Sequence, residues 1–419
     1  MNNFYRAEFG PQYATDQHMY LAGMQEAQLV TPSQTGRVLI ADDQMHVLDA
    51  LQMLLRGGGF ATHAVIRPAS VLQALETRQF DAVLMDLNYD RDTTSGGEGL
   101  ELVSQIRTMD CLLPIVVMTA WGSVDLAVEA MRRGASDFIQ KPWENQDVLQ
   151  KLQLQLSLAS AQRRAQRQRD DELREAREIQ ECLLPKELPK MAGYELAAMT
   201  QVLHFVGGDY YNIVRISERH YALCIADVAG KGLPAALLMA SLQAALKPLI
   251  FKRLAPSELC YRLNRILCDL TPVGKFVSFF YAVLDNVNNR LTYCNAGHNP
   301  PLLIRADDTF TELNAAGAVF GQFPQWHYEQ SELQMRTGDR LLLFTDGLVE
   351  ACDADEKPFG EHKLVLIARE NPSSSAEELV NSLMRAASQH SAEHFQDDAS
   401  LIVLKATGGG PLDPNGGAK

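Results

Sequence analysis

Two sets of aspartates in this chain sit in contexts that suit cation and phosphoryl chemistry. In the first, Asp42 and Asp43 close the apolar run RVLIADD, and Asp86 closes FDAVLMD. Thr119 stands at the end of PIVVMT, and Lys141 follows SDFIQ just ahead of Pro142. Three carboxylates gathered at strand ends repel one another unless a cation sits among them, and Mg²⁺ takes carboxylate and phosphate oxygens alike. There a carboxylate can attack a phosphoryl group while the metal and a lysine neutralise charge on its oxygens. A single acid at a strand end is an ordinary turn residue. Five residues of these types in this order are not explained that way.

The second set lies in the C-terminal part: Asp209 in VGGDYYN, Asp227 in ADVAGKG, Asp346 in FTDG, and Asp397-Asp398 in DDAS. A glycine beside a carboxylate lets the backbone turn tightly, so side chain and carbonyl can face one ion. Four carboxylates drawn from distant positions can hold two divalent ions about 3.5–4 Å apart. Such a pair acidifies a water and aims it at a phosphomonoester phosphorus. No covalent intermediate is needed, so no Cys-x5-Arg loop or Ser/His pair is expected.

The elements that must position these groups read as two domains. From 37 to 143 short apolar strands alternate with helical segments, the pattern of an α/β doubly wound parallel sheet. In such sheets ligands sit beyond the carboxyl ends of the strands, where Asp42, Asp43, Asp86, Thr119 and Lys141 all fall. From 144 to 184 there is no Gly and no strand signal, and helix formers predict a linker helix. Leu152, Leu156 and Ala159 start an apolar seam that Leu173, Ala176, Ile179 and Leu183 continue, so a coiled coil with a second protomer and a solvated single helix both stand open. From 185 to 405, HYALCIADVAG, SFFYAVLD, RLTYCNAGHNPPLLI, DRLLLFTDGLVEA and DDASLIVLK read as strands, and two long helices accompany them, predicting an α+β sandwich. Residues 1–36 read as an N-terminal extension, and the Gly/Pro-rich 406–419 as a disordered tail.

Composition bounds the rest. A length of 419 residues with 46% hydrophobic content fits two globular domains. A formal net charge of −14 argues against nucleic acid as the partner. Seven cysteines, with no CxxC pair, suggest reduced thiols rather than a zinc site or disulfide framework. No basic-then-apolar leader is seen and no apolar run reads as a membrane span, so a cytoplasmic location with no membrane partner is expected.

Residues from about Arg37 to Leu152 resemble a response-regulator receiver domain. The resemblance implies that Asp86 is the phosphoacceptor, with Asp42, Asp43 and the Asn88 backbone carbonyl joining it around Mg²⁺. Thr119 and Lys141 match the residues that contact the phosphoryl group, and Phe138 matches the aromatic that changes rotamer, or is simply a core aromatic. The loop NYDRDTTSGGEGL is longer than the family usually has, and it carries Asp90 and Asp92.

Residues from about Ala176 to Lys405 resemble the bacterial SpoIIE-like branch of the metal-dependent (PPM) Ser/Thr phosphatases, on AREIQECLLPKELP, ADVAGKGLPAALLMA and NAGHNPPLL. That resemblance implies that Asp227 bridges two Mn²⁺ or Mg²⁺ ions, with the Val228 carbonyl completing the first site. By the same resemblance, Asp346 and Asp397 should bind the second ion and Asp209 should hold metal-bound water. Asp398 is a further candidate ligand, and Lys231 a candidate contact for the phosphate. Asn212 stands where relatives often have an acid, which disfavours a loosely bound extra metal. His298 reads as a turn or packing residue.

The domain pair implies a regulator phosphorylated by a sensor histidine kinase. Its phosphatase would act on a phosphorylated anti-sigma-factor antagonist, and a homodimer through the linker helix is one arrangement it allows. The alternative is a catalytically silent adaptor that binds a sigma factor or other regulator. Such an adaptor has no need of Asp209, Asp227, Asp346 and Asp397, all of which are present.

Overall fold

The computed structural model describes residues 36–89, 97–120, 124–314 and 317–408. It divides into two compact units after Gln168. The first holds five parallel strands, β1 (Arg37–Ala41), β2 (Ala61–Val65), β3 (Ala82–Asp86), β4 (Ile115–Thr119) and β5 (Asp137–Gln140), in the order β2-β1-β3-β4-β5. Helices α1 (Met45–Gly57), α2 (Pro68–Thr77), α3 (Gly97–Met109), α4 (Val124–Arg132) and the start of α5 (Asn145–Glu181) accompany them.

Alternation along each strand divides its side chains between two cores. Leu39, Ala41, Val83 and Met85 enter one, and Val38, Ile40, Ala82 and Leu84 enter the other. A strand buried on both faces must be apolar throughout, which is why RVLIA, AVLMD and IVVMT were legible. β2, ATHAV, is only partly buried and gives no such run. The strand order reverses between β1 and β3, the switch point where a doubly wound sheet leaves a crevice.

The first part of α5 belongs to this unit. Val148 and Leu152 are buried in the core beside Leu51 and Ile139, Leu156 packs against it, and Ala159 is buried. The opening of the expected seam is thus spent within one protomer. Further along, Leu173 and Ala176 are half-buried, Ile179 is exposed, and Leu183 packs on the second unit's core. Asp90 and Asp92, the extension through Thr35 and the tail from Gly409 lie outside the described residues.

The second unit contains two five-stranded antiparallel sheets. One runs β13 (Ser331–Gln334), β10 (Arg290–Ala296), β9 (Val277–Asp285), β8 (His220–Val228), β7 (Tyr210–Arg215). The other runs β12 (Phe310–Glu312), β11 (Leu302–Ile304), β14 (Arg340–Phe344), β15 (Ala399–Ala406), β6 (Tyr194–Gln201). Leu223, Ile225, Phe280 and Leu291 from the first meet Leu341, Leu343, Ile402 and Leu404 from the second in a central core. On the outer face of the first sheet, Ala222, Cys224, Ala226 and Val228 pack under α6 (Leu233–Ile250) and α7 (Pro256–Leu270). On the other, Leu342, Phe344, Leu401 and Val403 pack under the short α8 (Asp346–Val349), α9 (Glu361–Glu370) and α10 (Ala376–His390). The result is an α+β sandwich of four layers.

Local signals set the helix starts. Pro234 and Pro256 occupy first-turn positions, where a missing N–H costs nothing. Ser375 and Glu378 form a capping box on α10. Sequence patterning marked only α6 and α10 as long helices. α7 buries Leu259, Cys260, Leu263 and Leu267, a regular stripe interrupted by polar residues. α6 also corrects an expectation: Leu233–Ile250 is long and apolar enough to cross a membrane, with mean hydropathy 1.5. Its inner face, including Leu238, Met239, Leu242 and Leu246, is nevertheless buried in the core.

Candidate functional site

In the first unit the carboxyl ends of β1 and β3 bring the acids together, and the end of β5 adds Lys141. Ligand oxygens of Asp42, Asp43 and Asp86 lie within 4.8 Å of one another, and among the described residues no other acid, His or Cys group gathers so tightly. Lys141 Nζ donates to Asp42 Oδ2 and Asp86 Oδ2, each at 2.8 Å. The Gln44 amide donates to Asp42 Oδ1 at 2.9 Å. Burial raises the Asp86 carboxyl above its ordinary value, with Lys141 opposing. Burial likewise disfavours the Lys141 ammonium, but Asp86 and Asp42 outweigh it and the net shift is upward. The lysine therefore stays charged. Asp86 Oδ1 is buried with no hydrogen-bond partner, a costly state for a carboxylate oxygen that a cation or phosphoryl group would relieve.

Thr119 is buried at the end of β4, and its carbonyl accepts from the Lys141 amide at 2.7 Å. Asn88 is half-buried two residues past Asp86. Phe138 is not a core aromatic: it is 40% exposed, with Lys151 Nζ 5.2 Å from its ring centroid.

In the second unit topology does the gathering. Asp209 precedes β7 and Asp227 lies near the end of β8, and these strands are antiparallel neighbours. Asp346 follows β14 and Asp397-Asp398 precede β15, again antiparallel neighbours. All five acids therefore stand at one end of the sandwich. Gly347 makes the meeting of the β14 and β15 ends close, because a Cβ there would run into the backbone carbonyl of Asp398. A Cβ on Gly208 would sit 2.9 Å from the Val228 carbonyl oxygen, so that carbonyl also borders the cluster.

Each acid has its own environment. Asp209 is buried, and its Oδ2 accepts from Thr345 Oγ1 at 2.8 Å and Ser400 Oγ at 2.7 Å, joining the two sheets. Its Oδ1 has no hydrogen-bond partner. Burial, then the charge of Asp227, push the Asp209 carboxyl well above the usual range. Asp227 is raised to about 7 by burial and by Asp346, Asp397 and Asp398. Burial and Asp397 raise Asp346. Asp398 spends both oxygens on backbone, accepting from the Leu203 and Gly208 amides at 2.8 Å each, so it braces a loop. Lys231 Nζ meets Asp397 Oδ2 at 3.0 Å and donates to the Gln396 carbonyl, so its ammonium is committed to an acid.

Elevated carboxyl values with one cause in common, acids crowded out of water, describe a donor set that fits divalent cations. Among the described residues these acids do not gather as tightly as Asp42, Asp43 and Asp86. Thr345 and Ser400 were not singled out from sequence, although each sits inside an acid-bearing motif. Asn212 does not approach as an acid would: its side chain donates to the Tyr210 hydroxyl at 2.9 Å. His298 is buried, bonded to Ser278 Oγ through Nδ1 at 2.8 Å, and lowered by burial to about 4. It is a neutral packing residue.

Comparisons with known proteins follow the same division. The response regulator receiver domain family matches residues 38–153, and the stage II sporulation protein E (SpoIIE) family matches 217–407. The phosphoserine phosphatase RsbU of Bacillus subtilis (strain 168) is 31% identical over 235 residues, 56% of this chain and 70% of RsbU. The phosphoserine phosphatase RsbP of the same organism is 29% identical over 206 residues, but the chain spans only 49% of its length. The SiaA-PP2C domain of Pseudomonas aeruginosa shares the fold at 20% identity with a TM-score of 0.53, covering 57% of this chain and 98% of that one. The chain thus belongs to the SpoIIE-type PPM protein Ser/Thr phosphatases and carries a response-regulator receiver domain ahead of its phosphatase domain.

Proposed function

We propose that this protein is a two-component response regulator in which phosphorylation of Asp86 controls hydrolysis of phosphoserine or phosphothreonine on a protein substrate. The observation that carries the phosphatase reading is the convergence of Asp209, Asp227, Asp346 and Asp397 at one end of the sandwich, three with carboxyls raised by burial and mutual charge. RsbU and RsbP, both named phosphoserine phosphatases, support the same substrate class, and an anti-sigma-factor antagonist is the substrate we favour.

Bound Mg²⁺ or Mn²⁺ would supply an acidified water and neutralise charge on the phosphoryl oxygens. Asp227 and the Val228 carbonyl would hold one ion, and Asp227, Asp346 and Asp397 the other. Asp209, fixed by Thr345 and Ser400, would orient the attacking water and accept a hydrogen bond from it. Asp398 keeps the Gly207-Gly208 turn in place and is not needed as a ligand. In the receiver, Asp42, Asp43, Asp86 and the Asn88 carbonyl would hold one Mg²⁺. A carboxylate oxygen of Asp86 would attack the phosphorus of a kinase phosphohistidine; the P–N bond breaks and the histidine nitrogen regains its proton. Thr119 and Lys141 would then bind the transferred group, with Phe138 responding.

The test is Mn²⁺-dependent hydrolysis of p-nitrophenyl phosphate by the parent and Asp227→Ala, each with and without beryllofluoride. Loss of turnover by at least about 10²-fold in Asp227→Ala is expected from removing one electrostatic stabiliser of the transition state. A beryllofluoride response that vanishes in Asp86→Ala would establish receiver control. No turnover here or on a phosphorylated antagonist protein would refute the enzyme reading.

A further inference from the structure

Within AREIQECLLPKELP, Gln180 contacts the loop that leads into Asp209. Gln180, in the last turn of α5, is buried. Its Nε2 donates to the Gly207 carbonyl at 2.7 Å, and its Oε1 accepts from the Gly207 amide at 3.0 Å. One side-chain amide thus satisfies both polar groups of one backbone residue, as a neighbouring strand would. Two turns earlier, the Arg174 guanidinium lies 5.9 Å from the Phe205 ring centroid.

The segment so held leads straight into the acids. The Gly208 amide donates to Asp398 Oδ2 and the Leu203 amide to Asp398 Oδ1. Asp209 follows directly, anchored on Thr345 and Ser400. Residues 203–209 have no strand partner of their own, since β7 begins only at Tyr210. Their position is set by Asp398 from one side and Gln180 from the other.

We infer that Gln180 is a positioning residue of the phosphatase site. Its two hydrogen bonds to Gly207 fix the loop that presents Asp209 and borders the Val228 carbonyl, so the end of α5 sets the geometry of the acid cluster. Gln180 does not touch substrate or reacting atoms and acts through Gly207. The catalytic consequence rests on the phosphatase reading; the clamp itself does not.

The test compares the full chain with Gln180→Met, which keeps length and apolar packing but makes neither bond, and with Gln180→Glu, which keeps only the acceptor for the Gly207 amide. Hydrogen exchange is followed by mass spectrometry in EDTA, and the Mn²⁺ dependence of p-nitrophenyl phosphate hydrolysis is measured separately. In Gln180→Met, exchange of the 203–209 amides should rise about tenfold while β15 and α10 keep parental protection. The Mn²⁺ concentration for half activation should rise about three- to tenfold, with kcat lowered and KM for the ester unchanged, as loss of roughly one net hydrogen bond per clamp contact implies. Gln180→Glu should fall between parent and Gln180→Met. Unchanged loop exchange in Gln180→Met would overturn the clamp. A loosened loop with parental Mn²⁺ dependence and kcat would overturn positioning, as would faster exchange spread evenly over the unit. A parent with no Mn²⁺-dependent turnover would instead refute the phosphatase reading, and the exchange arm would still decide the clamp.

Discussion

Single residues in this molecule are tuned mainly by what surrounds them. Lys231 is one case. Its ammonium occupies Asp397 Oδ2, an oxygen that a divalent ion would also claim, and the flanking Gly230 and Gly232 both have positive φ that leaves the loop free to turn. Lys231→Met should therefore lower the Mn²⁺ concentration for half activation by up to about fivefold, since an exposed ion pair contributes up to about 1 kcal/mol. Lower kcat at saturating Mn²⁺ would mark a second role at the phosphate; an unchanged Mn²⁺ dependence would show that the pair does not compete with the ion.

His298 is another case. Folding lowers its value from 6.5 to about 4, so the unfolded chain binds the extra proton between those pH values. Stability from this group is complete above about pH 6.5 and is lost as pH falls toward 4, by on the order of 3 kcal/mol. Denaturant unfolding at pH 7.5 and pH 5 should show a steeper loss for the parent than for His298→Asn. Equal slopes would mean that the buried imidazole titrates normally.

At the scale of elements, strands buried on both faces do most of the organising. Leu343, in β14, is fully buried in the core between the two sheets. Leu343→Ala should cost about 2–5 kcal/mol by removing packed volume from between two rigid layers. Ser375→Ala should cost about 1 kcal/mol by opening the capping box of α10, and chemical denaturation would measure both. A cost for Leu343→Ala below that of Ser375→Ala would contradict the buried-sheet reading.

Legibility from sequence followed the same physics. β1, β3, β4, β8, β9, β14 and β15 are continuous apolar runs because they face cores on both sides, and the ends of β1, β3, β8, β14 and β15 carry site acids. β2, β7 and β13 are only partly buried and gave little signal, and α7 was hidden by charged residues around its apolar stripe. The aspartates were visible because acids at the ends of apolar runs break them, several of them in glycine-marked turns. Gln180, Thr345 and Ser400 were not, because an amide or hydroxyl means something only once its partner across the fold is known.

For the molecule as a whole, two compact units with cores of their own predict separable unfolding. Calorimetry of the full chain should show two transitions. Leu84→Ala, in the first unit, should lower one of them and Leu343→Ala the other. A single transition displaced equally by both changes would mean that the units unfold together.

The burial of Val148 and Leu152 bears on where the protein can be divided. A fragment ending at residue 143, after the last receiver strand, would leave Leu51, Leu55 and Ile139 without the helix that covers them. It should be soluble only with difficulty and should bind hydrophobic dyes. A fragment carried on to about residue 160 keeps Leu152, Leu156 and Ala159 and should behave as an intact receiver. The chain's natural joint therefore lies inside a continuous helix rather than in a loop.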